Sequence, residues 1–162
     1  AAIRIAASVA MGIGKNAEEA KAKRVVPFIG FVSGPQNAQT LTGEKLAESD
    51  IDLTGRMISN GQPHRALPLT ASLCMAVAAR LAGSVVHAVT RKSDDPDAPI
   101  RIAMPSGVLT VGATVRNDGG VWFAEQGAFY RTQRRLFDGY VYVRAVRVPG
   151  LAGVGKKEAV AA

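Results

Sequence analysis

Apolar and polar positions change their spacing three times along the chain. Residues 1–12 are mostly Ala, Ile, Val and Met, a composition with good helix propensity, and Gly12 and Gly14 end the run. Asn16 is placed to cap a short second helix through Lys23. Val25 to Val32 is β-rich and bounded by Ser33-Gly34-Pro35, which predicts a strand; Pro27 confines its start to an edge position. Residues 36–50 are polar and read as a surface excursion. Asp52 is placed to cap a short helix through Ser59, closed by Asn60-Gly61. Pro63 and Pro68 keep the following link non-helical.

The clearest element comes next. Thr70 reads as an N-cap, and Ala71 to Ala82 is apolar all round apart from Ser72 and Arg80, stopped by Gly83. A helix without a polar face belongs inside a fold. Residues 84–90 read as a strand and Asp94 to Pro99 as a loop. The last third turns to β-branched and aromatic residues. It predicts strands at Ile100–Ala103, Val108–Arg116, Val121–Phe129 and Tyr140–Val148, with Asn117-Asp118-Gly119-Gly120 as a hairpin turn. The sum is α+β: a largely antiparallel or mixed sheet wrapped around one central buried helix, Thr70–Ala82. The residues from Gly150 are Gly- and Lys-rich and read as a flexible tail over 150–162.

Composition narrows the function classes. The chain has 162 residues, 48% hydrophobic and 20% charged, which suits one globular domain or one lobe of a larger protein. No apolar stretch reaches the roughly 18 residues that a membrane-spanning helix needs. The one cysteine, Cys74, excludes an intrachain disulfide framework, and two histidines leave little for a metal centre. A single free thiol fits the cytoplasm. The first residues, Ala-Ala-Ile-Arg, read as a truncation point inside a longer protein or as a trimmed start. The net charge of +7 points to anionic partners, but aromatics are only 6% and no nucleic-acid-binding signature accompanies the basic residues. Small polycarboxylates or phosphates remain.

Four constellations can carry chemistry. In Met104-Pro105-Ser106-Gly107-Val108, Gly107 allows close approach of backbone amides and Ser106 adds a hydroxyl, a pattern suited to a carboxylate; the plain alternative is a turn between strands. His64 and Thr70 lie at the approach to the apolar helix, whose N-terminus favours an anion; the alternative is a structural His and a simple cap. Cys74, inside an apolar helix and without a nearby His, reads as buried and inert. Arg131, Arg134 and Arg135 form either a carboxylate clamp or a solvated cluster beside Asp138.

Three stretches, in order, resemble one family. Asp52-Leu-Thr-Gly-Arg56-Met-Ile-Ser59-Asn-Gly61-Gln-Pro-His64-Arg-Ala66 with Thr70-Ala-Ser-Leu-Cys74, then Ile100-Arg101-Ile-Ala-Met-Pro105-Ser106-Gly107-Val108, then Arg131-Thr-Gln-Arg134-Arg135-Leu136-Phe-Asp-Gly139, are similar to motifs of the PrpF family. Its usual His before Pro-Ser-Gly is Met104 here, its Thr-Gly-Ala is Thr70-Ala71-Ser72, and its Ser-Met-Gly is Ser59-Asn60-Gly61. The resemblance covers about residues 1–145. It implies a diaminopimelate-epimerase-like fold of two lobes, of which residues 1–149 make the C-terminal one, with the N-terminal lobe of the same polypeptide absent.

The resemblance further implies a cofactor-independent isomerase or tautomerase, working by proton transfer on small unsaturated polycarboxylates of the methylaconitate or oxalomesaconate type. The substrate-binding residues would be Ser106, Gly107, Val108, Thr70 and His64. The base would come from the N-terminal lobe, which leaves the isolated chain inactive. No metal, nucleic acid or membrane is expected, and a homodimer is allowed. The alternative class is a non-catalytic basic module that binds anions or another protein.

Overall fold

The computed structural model describes residues 1–23, 26–59, 61–130, 134–140 and 142–151. The chain divides into two compact units, residues 1–131 and 132–162.

The first unit opens with helices α1 (Ala2–Ala10) and α2 (Ala17–Ala22). Asn16 caps α2 as its pattern predicts: its side chain accepts from the Glu19 amide at 2.9 Å, and Glu19 reaches back to the Lys15 amide at 3.0 Å. Arg4 ties α1 to the end of α2 by donating to the carbonyls of Ala20 and Lys23 at 2.9 and 2.7 Å.

A six-stranded sheet follows. It runs β1 (Ile29–Ser33), β4 (Leu53–Ser59), β6 (Ile100–Met104), β7 (Gly107–Asp118), β8 (Val121–Phe129), with the two-residue β5 (Gln62–Pro63) also paired to β4. The short strands β2 (Ala38–Gln39) and β3 (Lys45–Leu46) pair separately within the polar excursion. Among the described residues only the β4–β6 pair is parallel; the others are antiparallel. Parallel neighbours need a crossover, and here it carries helices α3 (Leu69–Arg80) and α4 (Val85–Val89).

Helix α3 explains much of the core. Ala71, Ser72, Met75, Ala76 and Ala79 are buried, spaced as one stripe of a 3.6-residue helix. Small side chains and glycines let it lie close to the sheet. A Cβ on Gly55 would come within 3.1 Å of Met75 Sδ, and one on Gly127 within 2.9 Å of Leu73 Cδ2. Leu53, Ile100, Ile102, Val111 and Ala113 complete the apolar layer beneath it. The Asn117–Gly120 hairpin forms as its residues predict, with Gly119 and Gly120 both at positive φ, 58° and 90°.

Several sequence expectations are corrected. Residues 53–59 form the strand β4, not an Asp52-capped helix. The Asp52 carboxylate is taken by Arg101, which donates its backbone amide (2.8 Å), Nε (3.1 Å) and Nη2 (2.7 Å). Burial alone would raise the Asp52 pKa, but the hydrogen bonds and charge of Arg101, with Arg91 beyond, hold it below the ordinary carboxylate value. Residues 85–89 form helix α4, not a strand. Ser84 caps it by accepting from the His87 amide at 3.0 Å, a local bond that outweighs the β preference of Val85 and Val86. Thr70 is not the cap of α3: the helix starts one residue earlier, with Pro68 at the cap position.

In the second unit, residues 145–147 and 149–151 form single 3₁₀ turns. No strand occurs over Tyr140–Val148 among the described residues, contrary to its period-two pattern. Arg131 lies outside the described residues, as does 152–162 of the expected tail. Arg135 pairs with Asp138 at 2.9 Å, both exposed. Among the described residues no helix is long and apolar enough to cross a membrane.

Candidate functional site

Thr70, Cys74 and Ala78, at spacings of four, form a stripe of α3 along one edge of its buried face. It borders a cavity of about 520 Å³ between the helix and strand β1. Phe28, Gly30, Met57 and Val86 close the other walls. Its polar side chains are those of Thr70 and Cys74, one helical turn apart.

Cys74 is therefore exposed rather than buried. The all-round apolar character of the helix suggested a buried thiol; in the fold α3 packs through one stripe and leaves the other open. Position on that open stripe is decided by which face meets the sheet, and nothing local to Cys74 signals it.

His64 is not one of the residues that line this cavity. Its backbone amide donates to the Met57 carbonyl at 2.9 Å, which continues the β4–β5 pairing. Its ring lies 6.0 Å from that of Phe28, tilted by 43°. Thr70 lines the cavity directly, whereas His64 reaches it only through its contact with Phe28, so the structure does not bring these two candidate residues together on one wall.

Ser106, Gly107 and Val108 occupy a different patch. Met104 pairs with Gly107, so Pro105-Ser106 is a two-residue turn joining β6 to β7. Gly107 has φ of 134°, which a side chain rarely adopts, and nothing lies within 4 Å of where its Cβ would stand. Ser106 and Val108 are exposed. The turn is anchored by the Leu41 amide donating to the Pro105 carbonyl at 2.8 Å. It is a strand turn, as the plain reading held, and its space is open on the glycine side, as a binding turn requires. Met104, which precedes the turn, accepts through its sulfur from the Leu67 amide at 3.2 Å, two residues before α3.

Arg56 stands in the first motif yet is not at the cavity. Alternation along β4 puts it opposite Gly55 and Met57, and its Nη1 donates to the carbonyls of Gly55 and Ala103 at 2.8 and 3.2 Å. Among the described residues no group of His, Cys, Asp and Glu is arranged to hold a metal.

The pattern of the PrpF family, described as "PrpF protein", matches residues 1–144. The chain belongs to the PrpF family. It is similar to the 3-methylitaconate isomerase of Eubacterium barkeri, with 35% identity covering 90% of this chain and 38% of that protein. It is also similar to the 2-methyl-aconitate isomerase of Shewanella oneidensis, with 31% identity covering 87% of the chain and 35% of that protein. The crystal structure of a methylitaconate-delta-isomerase superposes with a TM-score of 0.71 at 32% identity, over 90% of this chain and 37% of the other. The PrpF chain therefore has the diaminopimelate-epimerase-like fold and spans a little over a third of the length of the relatives it matches. Motif order, not any single residue, is the signal that led from this sequence to the family.

Proposed function

We propose that this chain is part of a cofactor-independent isomerase that moves a proton on a small unsaturated polycarboxylate. Membership of the PrpF family over residues 1–144, beside relatives named as isomerases of methylitaconate and methylaconitate, is the observation that carries this reading. Such a reaction removes a proton next to a carboxylate, passes through an enolate-like intermediate, and returns a proton at another carbon. It needs an acid, a base and donors for the developing charge.

The chain's contribution is donors. Ser106 offers an exposed hydroxyl, and Gly107 leaves room for a carboxylate beside the backbone. Thr70 offers a second hydroxyl at the cavity wall. The base comes from the remainder of the polypeptide, and the 162-residue chain by itself is inactive. Substitution of Met104 for the family's usual His removes any imidazole from the foot of the turn, which bears on which polycarboxylate is accepted.

The test is proton NMR of the full-length protein with 2-methylaconitate in D₂O. Conversion to an isomer with solvent deuterium at the new C–H position supports the reading. Absence of both turnover and exchange with this substrate and with methylitaconate would refute it, and would favour the alternative of a basic anion-binding module.

A further inference from the structure

A second cavity, of about 480 Å³, lies at the other end of α3. Arg80 at the helix C-terminus, Arg91 and Lys92 from the following loop, and Arg101 at the start of β6 all border it, with Asp52 and Asp94 as its acidic members. Four cations thus face two carboxylates. One of those, Asp52, is already occupied: it accepts from Arg101 at 2.7 Å and has Arg91 at 3.9 Å.

Backbone carbonyls hold each of the remaining cationic groups, and Arg91 also lies at ion-pair distance from two carboxylates, Asp52 at 3.9 Å and Glu48 at 4.0 Å. Arg91 donates to the carbonyls of Ile51 (3.3 Å) and Glu48 (2.8 Å), with the Glu48 carboxylate 4.0 Å away. Lys92 donates to the His87 carbonyl at 2.6 Å and touches the His87 ring. Arg80 donates Nη2 to the Ala98 carbonyl, while its Nε is buried with no hydrogen-bond partner among the described residues. An orphaned guanidinium N–H is costly unless something accepts from it. Carbonyl anchors position a cation without neutralising it, so the wall keeps a net positive charge in a partly enclosed space.

This cavity is separate from the one at Thr70. Arg80 stands ten residues after Thr70 along α3, about 15 Å at 1.5 Å per residue. The turn at Ser106 likewise follows the far end of β6 from Arg101.

We propose that the cavity bordered by Arg80, Arg91, Lys92 and Arg101 binds a compact multivalent oxyanion, phosphate or a small dicarboxylate, apart from the substrate. The chemistry is shared by both anions: negatively charged oxygens that accept from fixed guanidinium and ammonium donors.

Isothermal titration of inorganic phosphate, and separately of succinate, into the full-length protein at constant ionic strength tests it. The expected result is saturable binding of at least one, weakened about tenfold by Lys92→Met and by Arg80→Met, as loss of a charge-assisted donor should. Which anion saturates identifies the source. Lys92→Met leaves the Ala98 contact of Arg80 intact, so one variant is independent of folding at that contact. Binding must also survive Ser106→Ala, which separates it from the substrate patch. The proposal is overturned if neither anion saturates, if both variants bind like wild type, or if Ser106→Ala abolishes the signal.

Discussion

Replacing Asp52 by Asn tests how the parallel pair β4–β6 is held. The carboxylate is mostly buried, with its side chain 14% exposed, and receives three hydrogen bonds from one residue, Arg101. Asn keeps an acceptor for the Arg101 amide but loses the charge that both guanidinium bonds use. Charge-assisted bonds are worth about 1.5–3 kcal/mol each in favourable settings. Arg101 is 39% exposed, so solvent screening cuts the pair to about 2 kcal/mol in total. For a chain of this size that is a fall in Tm of about 4–8 °C.

Acidity supplies an independent check on the same pair. The Asp52 pKa is lower in the folded state than in the unfolded chain. Its stabilisation is therefore fully present above the ordinary Asp value, about 4, and is lost as pH falls through the folded value. Thermal or urea unfolding of wild type and Asp52→Asn, followed from pH 7 downwards, should show a gap that closes in acid. A double-mutant cycle with Arg101→Met should give a coupling of about 1–2 kcal/mol. A gap under about 0.5 kcal/mol at pH 7, within the range of ordinary surface changes, would sink the argument. So would a gap that stays constant into acid.

Two glycine substitutions should separate rigid from yielding neighbours: Gly14→Ala meets the Ala20 backbone at 2.8 Å and should cost about 2–3 kcal/mol, whereas Gly127→Ala meets only the end of Leu73 and should cost about 1 kcal/mol by urea denaturation. Cys74, exposed on the cavity wall, should be alkylated in the native protein at a rate within about tenfold of the unfolded chain, read by mass spectrometry; strong protection would place the thiol elsewhere. If the turn at Ser106 holds a substrate carboxylate, Ser106→Ala in the full-length protein should weaken substrate affinity by roughly ten- to a hundredfold, with unfolding unchanged. Gly107→Val, at φ of 134°, should lose activity more completely, and circular dichroism must show it folded for the result to count.

Much of the architecture can be read from local pattern alone. The α2 cap at Asn16, the hairpin at Asn117–Gly120, strands β6 to β8 and the helix beginning near Thr70 each rest on a bond or a periodicity within a few residues. Family membership is likewise legible, because three motifs recur in order. Elements whose state depends on a distant partner are not. Residues 53–59 look like a capped helix until Arg101, far along the chain, claims Asp52 and β6 pairs alongside. Residues 85–89 look like a strand until Ser84 caps them as a helix that also packs against α3. The same holds at the site. Sequence placed Thr70, His64 and the Ser106 turn as substrate-binding residues, but only tertiary structure seats Thr70 and Cys74 on one cavity and sets Ser106 on a separate turn. The physical reason is that an apolar helix has no intrinsic inside: which stripe is buried is decided by the glycines and small residues of the sheet that it meets.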